Sequence, residues 1–514
     1  MNKRFWALVL LLPLLAFCGK KDQPEDKDKD KDKQEEVDPK IDISGASEFT
    51  VPCEGGSGTV TFTSNVDWTA TADDSWLTVT PAEGKASASP VTVTFSCGQN
   101  PNLKDRSTYI VLTGYGAMKN LPLVQAGDPM AGAAKEVKNG DTVLANSELS
   151  EKFLTEVNYE DKTYKVDTKI FDYYGGFDGV NLTWDNWETD WPDGDKPQSY
   201  SIRWKKEDME SGKMSLHLAD ELGWARDLEI AAGSRYVNIT NLVPNDKYTF
   251  KVTAASGKVL AEGQFNTTGH VHQCFFSGNI KKKNGVVLKG EGARNCRDLG
   301  GWTTLDGKKV KYRKVYRGGR LNEKWTPYPL NEQGEKEVLF EGIGAELDLR
   351  GNSDVIHTPA VEGLLHCSPV IEEGGKSMLV ADKAKTKECF EFVVNCLRQD
   401  KPVHFHCSLG RDRTGTLSIL LMGLLGVREG DIAKEYELTY FAPVGYSVSS
   451  SDKASNTKPI FKNTRMQWVY SDVVPYFWEL AGDGTFAQGV EKYLLEVAGV
   501  SQKDIDDFRS MMLE

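Results

Sequence analysis

The chain of 514 residues lacks an excess of basic residues, because 62 Lys+Arg stand against 75 Asp+Glu and the formal net charge is −13. A pI near 5.3 gives no general attraction to phosphate backbones, so we expect no nucleic-acid partner. The nine cysteines include no C-x2-C pair, and the spacing of Cys367, Cys389, Cys396 and Cys407 is not that of a zinc site. We therefore expect no metal and no other cofactor.

Long apolar runs are also scarce. The run from Phe5 to Phe17 has thirteen residues, too few to span a bilayer, and follows the basic Asn2-Lys3-Arg4, as in an export signal. Leu15-Ala16-Phe17-Cys18 resembles the box of bacterial lipoproteins. The resemblance implies a signal peptide over 1–18 and an exported protein, periplasmic or at the cell surface, anchored to a bacterial (outer) membrane by lipidated Cys18. A plain secretory signal is the alternative.

The length predicts about three domains. Residues 19–39 contain an alternation of Lys with Asp or Glu and nothing to bury, which predicts a solvated, charged linker.

Residues 40–128 alternate apolar and polar side chains between turn residues, which predicts a small β-sandwich. The succession of Asn65-Val66-Asp67-Trp68, Trp76-Leu77, Arg106 and Val124-Gln125-Ala126-Gly127 resembles a BACON domain. That resemblance implies glycan contact or a spacer role, and Trp68 and Trp76 are either sugar platforms or core residues. Cys53 and Cys97 could pair in an oxidising compartment, but sequence gives no distance between them.

A second β-sandwich is predicted over 167–269, after a linker over 129–166. Ile239-Thr240-Asn241-Leu242-Val243-Pro244-Asn245-Asp246-Lys247-Tyr248 resembles the tyrosine corner of a fibronectin type III domain, with Trp184 as its core tryptophan. We interpret this domain as a spacer or an interaction surface.

Residues 270–514 change to longer apolar runs at helical spacing with short buried strands, which predicts an α/β domain. At its centre, strand Val403–His406 is followed by a loop over 407–413 and then a helix. Backbone N–H groups of such a loop converge on a bound anion and stabilise a Cys407 thiolate. Arg413 can offer a bidentate fork to phosphate oxygens. The predicted substrate-binding residues between and beside them are Ser408, Leu409, Gly410, Arg411 and Thr414.

The composite loop resembles that of the cysteine-dependent protein tyrosine phosphatases, in the bacterial branch with the pattern H-C-x-x-G-K-D-R-T-G. Further matches to that branch are Arg294-Asn295-Cys296-Arg297-Asp298, Val315-Tyr316-Arg317, Leu347-Asp348-Leu349-Arg350 and Asp431-Ile432-Ala433-Lys434-Glu435-Tyr436. The resemblance implies a phosphocysteine mechanism. For the general acid it favours Asp412, inside the loop, with Asp382 as the alternative. Asp298 and Asp348 are expected to hold arginines or loops, and His404 and His406 to orient the loop.

The predicted function is an exported phosphomonoester hydrolase acting on phosphotyrosine. An inositol phosphate or phosphoinositide phosphatase is the alternative, because a basic run over 308–314 could face the same pocket. A catalytically silent phosphate- or glycan-binding protein is the rival from another class. The segment 442–480 is expected to be either a lid or an insertion with a buried aromatic helix.

Overall fold

The computed structural model describes residues 38–102, 104–128, 130–160, 196–205, 212–278, 282–283, 286–287, 292–322, 330–441 and 465–514. The expected signal peptide, Cys18, nearly all of the charged linker and Trp184 lie outside these residues. The chain divides into two compact units, 1–128 and 129–514. Within the described part, no helix has the length and apolar character needed to cross a membrane.

The first unit is a β-sandwich, as predicted. One sheet has the strand order β1-β3-β7-β5 and the other β2-β9-β8-β4-β6. The strands are β1 Ile41–Ser44, β2 Phe49–Val51, β3 Gly56–Ser64, β4 Trp68–Ala72, β5 Leu77–Thr80, β6 Glu83–Gly84, β7 Ser87–Cys97, β8 Arg106–Gly114 and β9 Ala117–Gln125.

The two tryptophans of this unit have structural positions. Trp68 is 3% exposed and packs edge-on against Phe62, so it belongs to the core rather than to a sugar platform. Trp76 is half-buried, and the Arg106 guanidinium lies 4.1 Å from its ring centroid. Cys53 and Cys97 are both free thiols.

The second unit begins with a further pair of sheets, ordered β10-β12-β15 and β11-β17-β16-β13-β14. Tyr248 is fully buried and its hydroxyl accepts a hydrogen bond from the backbone N–H of Val243 at 2.9 Å, which is the geometry of a tyrosine corner. The elements are β10 Lys135–Glu136, β11 Thr142–Leu144, α1 Glu148–Glu156, β12 Tyr200–Arg203, β13 Met214–Asp220, β14 Ala225–Ile230, β15 Tyr236–Ile239, β16 Lys247–Thr253 and β17 Val259–Thr268.

The prediction of a linker over 129–166 is wrong for its described part. Strand β10 pairs in parallel with β12, and β11 pairs in parallel with β17. Helix α1 buries Phe153 and Leu154 in the core of the C-terminal domain. These short strands and the amphipathic helix bury their apolar faces only against distant segments. The polar residues between them interrupt the alternation of apolar and polar residues, so the sequence did not reveal them.

The C-terminal domain is α/β, as predicted, around a sheet ordered β18-β21-β22-β25-β23-β24. The last four strands in that order are parallel to one another. Strand β21 is antiparallel to both of its neighbours, β18 and β22. The strands are β18 Gln273–Phe276, β19 Lys282–Lys283, β20 Val286–Val287, β21 Ala293–Asp298, β22 Val315–Gly318, β23 Ala345–Asp348, β24 Leu365–Cys367 and β25 Val403–His406, with β19 and β20 forming a separate hairpin.

Helices cover this sheet and complete one large core. They are α2 Glu332–Glu341, α3 Gly375–Val380, α4 Lys383–Arg398, α5 Asp412–Leu425, α6 Glu429–Glu437, α7 Arg465–Ala481, α8 Phe486–Lys492 and α9 Gln502–Met512. Residues 442–464 lie outside the described part. Helix α7 buries Tyr470 and Phe477, so its described residues form a buried aromatic helix.

The second sandwich and the C-terminal domain share a buried polar junction, so this sandwich is not a separate spacer. Arg313 is at its centre: it forms an ion pair with Asp220, and its Nη2 donates to the Tyr248 hydroxyl at 3.0 Å. Its Nε lies 3.3 Å from Glu341, and its backbone N–H donates to Asp298.

Candidate active site

The loop after strand β25 joins a fully buried strand to the N-terminus of helix α5. Gly410 has a φ of +70°, and a Cβ there would lie 2.5 Å from a backbone atom of Gly318. Both constraints require glycine. The loop is thus held close to strand β22, and its residues lead directly into the positive end of the α5 dipole.

Cys407 lies at the start of this loop and is 3% exposed. Burial by itself raises the pKa of the thiol, but the positive charge of Arg413 and a hydrogen bond from Thr414 outweigh it, so the pKa falls to about 7. A substantial thiolate fraction therefore exists near neutral pH. Thr414 is fully buried, and its hydroxyl oxygen lies 3.4 Å from the Gly318 carbonyl oxygen.

Arg413 begins the first turn of α5 and is only half-buried. Its Nη1 donates to the backbone carbonyl of Ile371 at 2.9 Å. Within the described part of the chain, its guanidinium has no carboxylate partner. The loop therefore pairs an acidic thiol with an arginine whose remaining donors are available to an anion.

A buried charge network supports the loop from behind. Arg317 is completely buried, and it donates to the Gly410 carbonyl and, at 3.0 Å, to Glu435. Glu435 also accepts from Arg297 at 2.7 Å. Burial raises the pKa of the Glu435 carboxyl, but the two arginines outweigh it and hold that pKa below its usual value.

Asn295 ties strand β21 to the same loop. Its side-chain amide donates to the carbonyls of Leu409 and Gly410 at 3.2 and 2.9 Å. Sequence reasoning matched Asn295, Arg317 and Glu435 to family motifs but assigned them no role. The signal was their place in three separate motifs, which only the fold brings together.

Of the two histidines of strand β25, which were expected to orient the loop, His406 contacts it, whereas His404 Nε2 lies 3.5 Å from Cys296 Sγ. His406 Nε2 lies 2.9 Å from Glu346 Oε1, and its Nδ1 lies 3.3 Å from the Cys407 carbonyl. Burial and the neighbouring His406 and Arg317 keep the pKa of His404 well below its usual value. His404 is therefore neutral and is not a cation for phosphate.

The predicted acids have different surroundings. Both carboxylate oxygens of Asp412 accept from Arg411, at 2.8 and 3.0 Å. Asp382 precedes helix α4 and pairs with Lys385 at 2.9 Å. Asp348 holds Arg350 through both oxygens, as expected.

One carboxylate beside the loop was not predicted. The hydroxyl of Ser408, the residue after Cys407, donates to Oδ2 of Asp354. Asp354 is not part of any family motif matched in the sequence, and 54 residues separate it from Ser408.

The basic run over 308–314 does not line the loop. Lys308 pairs with Asp306 and Lys314 with Asp400, while Lys311 Nζ donates to the Ser510 carbonyl at 3.4 Å. Arg313 is buried in the junction described above. The expectation that these cations could face the phosphate pocket is not supported.

Three metal-capable donors meet away from the loop: atoms of His272, Cys274 and Glu341 all lie within 4.8 Å of one another. These groups already bond to other residues. His272 Nε2 lies 2.9 Å from the Asn241 carbonyl, and Glu341 accepts from Tyr316 at 2.9 Å and from Arg313. They belong to the polar junction.

Comparison with known proteins agrees with this geometry. Residues 288–514 match the tyrosine phosphatase family, and residues 66–126 match the BACON family, described as "Putative binding domain, N-terminal". A Cupriavidus necator protein named "Putative tyrosine-protein phosphatase" is 24% identical over 166 residues, which are 28% of this chain and 59% of that protein. The chain thus spans less than two thirds of this relative.

Two solved structures show limited similarity. A Bacteroides ovatus GH5 xyloglucanase is 12% identical, with a TM-score of 0.16, over 21% of this chain and 28% of that one. The chicken CNTN1 FN1–FN3 domains are 11% identical, with a TM-score of 0.14, over 44% of this chain and 66% of theirs. The loop geometry thus lies within the part of the chain that matches the tyrosine phosphatase family, residues 288–514, and a match to the BACON family precedes it.

Proposed function

We propose that the C-terminal domain hydrolyses phosphomonoesters, with phosphotyrosine as substrate, through a phosphocysteine intermediate. The observation that carries this proposal is the pairing of Cys407, whose thiol pKa is lowered to about 7, with Arg413, which has no carboxylate partner in the described residues. A nucleophile and a fork for phosphate oxygens thus stand at one helix N-terminus.

In the proposed reaction, the Cys407 thiolate attacks phosphorus and the bond from phosphorus to the ester oxygen breaks. Arg413 and the loop N–H groups stabilise the equatorial oxygens. A carboxylic acid at the mouth of the site protonates the leaving oxygen. Water then attacks the phosphocysteine, inorganic phosphate leaves, and Thr414 stabilises the departing thiolate by its hydrogen bond. Leu409 and Gly410 shape the loop, and Ser408 and Arg411 stand on either side of them within it.

The test is release of phosphate from p-nitrophenyl phosphate by the full chain in the presence of EDTA. Turnover should persist with EDTA, and Cys407→Ser should reduce it to below about 1% while leaving binding of vanadate or phosphate measurable. An inactive wild type that still binds vanadate would instead support a silent phosphate-binding protein.

The proposed substrate is phosphotyrosine rather than an inositol polyphosphate, because additional phosphates need additional cations. In the basic run that motivated the alternative, Lys308, Arg313 and Lys314 pair with acidic residues outside the loop, and Lys311 contacts a backbone carbonyl. A comparison of kcat/KM for a phosphotyrosine peptide and inositol hexakisphosphate at two salt concentrations decides between them. A strong, salt-sensitive preference for the hexakisphosphate would refute the phosphotyrosine proposal.

We also propose that the chain is exported and lipid-anchored through Cys18. The support is the sequence of the first eighteen residues alone. Metabolic labelling with palmitate should mark the full-length protein, and Cys18→Ser should abolish the label and release the protein from the membrane fraction.

A further inference from the structure

A carboxylate outside the family motifs matched in the sequence contacts the loop that carries Cys407. Strands β23 and β25 are parallel, with Asp348 opposite His406 in register, so the segments that follow them emerge at the same edge of the sheet. Two residues after His406, Ser408 donates its hydroxyl hydrogen bond to Asp354 Oδ2. The contact therefore follows from the topology of the sheet.

Hydrogen bonds connect the turn that carries Asp354 to the segment that contacts Arg413. Glu372 accepts hydrogen bonds from the backbone N–H and the side-chain amide of Asn352, at 3.0 and 2.7 Å, and so connects the 352–354 turn to the 371–372 segment. The neighbouring residue Ile371 holds the Arg413 guanidinium. A phosphate on the Arg413 fork would thus lie beside the turn that carries Asp354.

The hydrogen bonds and ion pairs of its carboxylate distinguish Asp354 from the predicted acids. Asp354 is half-buried, and its Oδ1 has no hydrogen-bond partner among the residues that the structure describes. Asp412 has both carboxylate oxygens engaged by the Arg411 fork, so neither oxygen is without a hydrogen bond. Asp382 pairs with Lys385.

We propose that Asp354 is the general acid and base of the reaction, which rests on the phosphatase function proposed above. In the first step the S–P bond forms, the bond from phosphorus to the leaving oxygen breaks, and the Asp354 carboxyl proton passes to that oxygen. In the second step the Asp354 carboxylate takes a proton from the attacking water, the S–P bond breaks, and its electron pair returns to the Cys407 thiolate. The Asp354 carboxyl is protonated again at the end of the cycle.

The test compares two substrates that differ in leaving group, p-nitrophenyl phosphate and phenyl phosphate, on the full chain. Asp354→Asn should lower kcat/KM for phenyl phosphate about 10²-fold or more and kcat/KM for p-nitrophenyl phosphate less than about tenfold, because kcat/KM reports the first step and only the poorer leaving group needs the proton there. The same variant should lose the alkaline limb of the profile of kcat/KM against pH. Asp354→Glu should recover part of the phenyl phosphate activity.

Three variants separate this role from others. Ser408→Ala removes the hydrogen bond and should retain the wild-type ratio between the two substrates, whereas a ratio like that of Asp354→Asn would show that Asp354 only positions Ser408. Asp400→Asn, at a carboxylate 88% exposed, is the matched control and should change neither substrate. Equal losses of kcat/KM on both substrates for Asp354→Asn, or a selective loss of kcat/KM for phenyl phosphate in Asp412→Asn, would overturn the proposal. Wild-type turnover of p-nitrophenyl phosphate reports separately on the proposed function.

Discussion

Replacement of Arg313 by alanine should destabilise the second unit more than any change at an exposed ion pair. Arg313 is 9% exposed, and its acidic partners Asp220 and Glu341 have side chains that are 0% and 3% exposed. The variant leaves both carboxylates buried without their cation. Removal of one partner from a buried ion pair costs about 3–5 kcal/mol of unfolding free energy.

The matched control is Arg398→Ala. Arg398 pairs with Asp504 and Asp507, but its side chain is 32% exposed, so its loss should reduce the unfolding free energy by about 0–1 kcal/mol. Urea unfolding of the full chain, followed by tryptophan fluorescence, measures both. Trp224 is a local reporter because the Arg313 guanidinium lies 4.4 Å from its ring centroid.

A double-mutant cycle supplies the sharper result. Asp220→Asn removes one of the uncompensated charges, so the double variant Asp220→Asn with Arg313→Ala should be more stable than the sum of the two single losses predicts. Backbone N–H 313 still donates to Asp298 in every variant. If Arg313→Ala and Arg398→Ala lose the same small free energy, or the cycle shows no coupling, the junction is not held by these charges.

Four further outcomes are expected. Arg413→Lys should reduce kcat/KM about 10²-fold, since a single ammonium cannot replace the bidentate fork, and steady-state kinetics on p-nitrophenyl phosphate would reveal a near-normal value if Arg413 points elsewhere. Thr414→Val should move the Cys407 pKa upward from about 7, because it removes a hydrogen bond that stabilises the thiolate; the pH dependence of iodoacetamide alkylation measures this, and an unmoved curve contradicts it. Burial raises the pKa of the Asp246 carboxyl to about 6, from about 3.9 in the unfolded chain. The native state therefore binds more protons between these values, and the free energy of unfolding should fall as pH rises from about 4 to 6. Urea titrations should show that Asp246→Asn flattens this dependence, and an unchanged dependence would contradict the assignment. Deletion of 38–128 should leave phosphatase activity intact, whereas deletion through 270 should not, because helix α1 and Tyr248 contact the C-terminal domain. An active, folded fragment of 271–514 would show that the junction is dispensable.

The contiguous part of the site could be predicted from sequence. Cys407, Gly410 and Arg413 stand within seven residues, so a strand, a loop and a helix place them together whatever the rest of the chain does. Period-two patterning likewise gave the first β-sandwich, because each strand buries one face. These features depend on local geometry.

Contacts between distant segments could not be predicted in this way. Arg313 stands in a run of lysines, and such a run usually forms a solvated face. It is buried because Asp220 and Tyr248 of the second sandwich and Glu341 of helix α2 contact it. Asp354 is missed for the same reason, since its partner Ser408 is adjacent only through the pairing of two parallel strands.

The distribution of carboxylate partners distinguishes Arg413 from the other described arginines of the family motifs and the loop. Arg297 and Arg317 share Glu435, and Arg350 is held by Asp348. Arg411 is held in the same way by Asp412. Each of these arginines forms an ion pair with a carboxylate. The positive charges of these arginines therefore stabilise the fold instead of binding a ligand. Arg413 differs, since its one hydrogen bond in the described residues goes to the Ile371 carbonyl, which leaves its charge uncompensated. Arg413 thus places a guanidinium that has no carboxylate partner in the described residues beside the Cys407 thiol, as the proposed attack on a phosphate group requires.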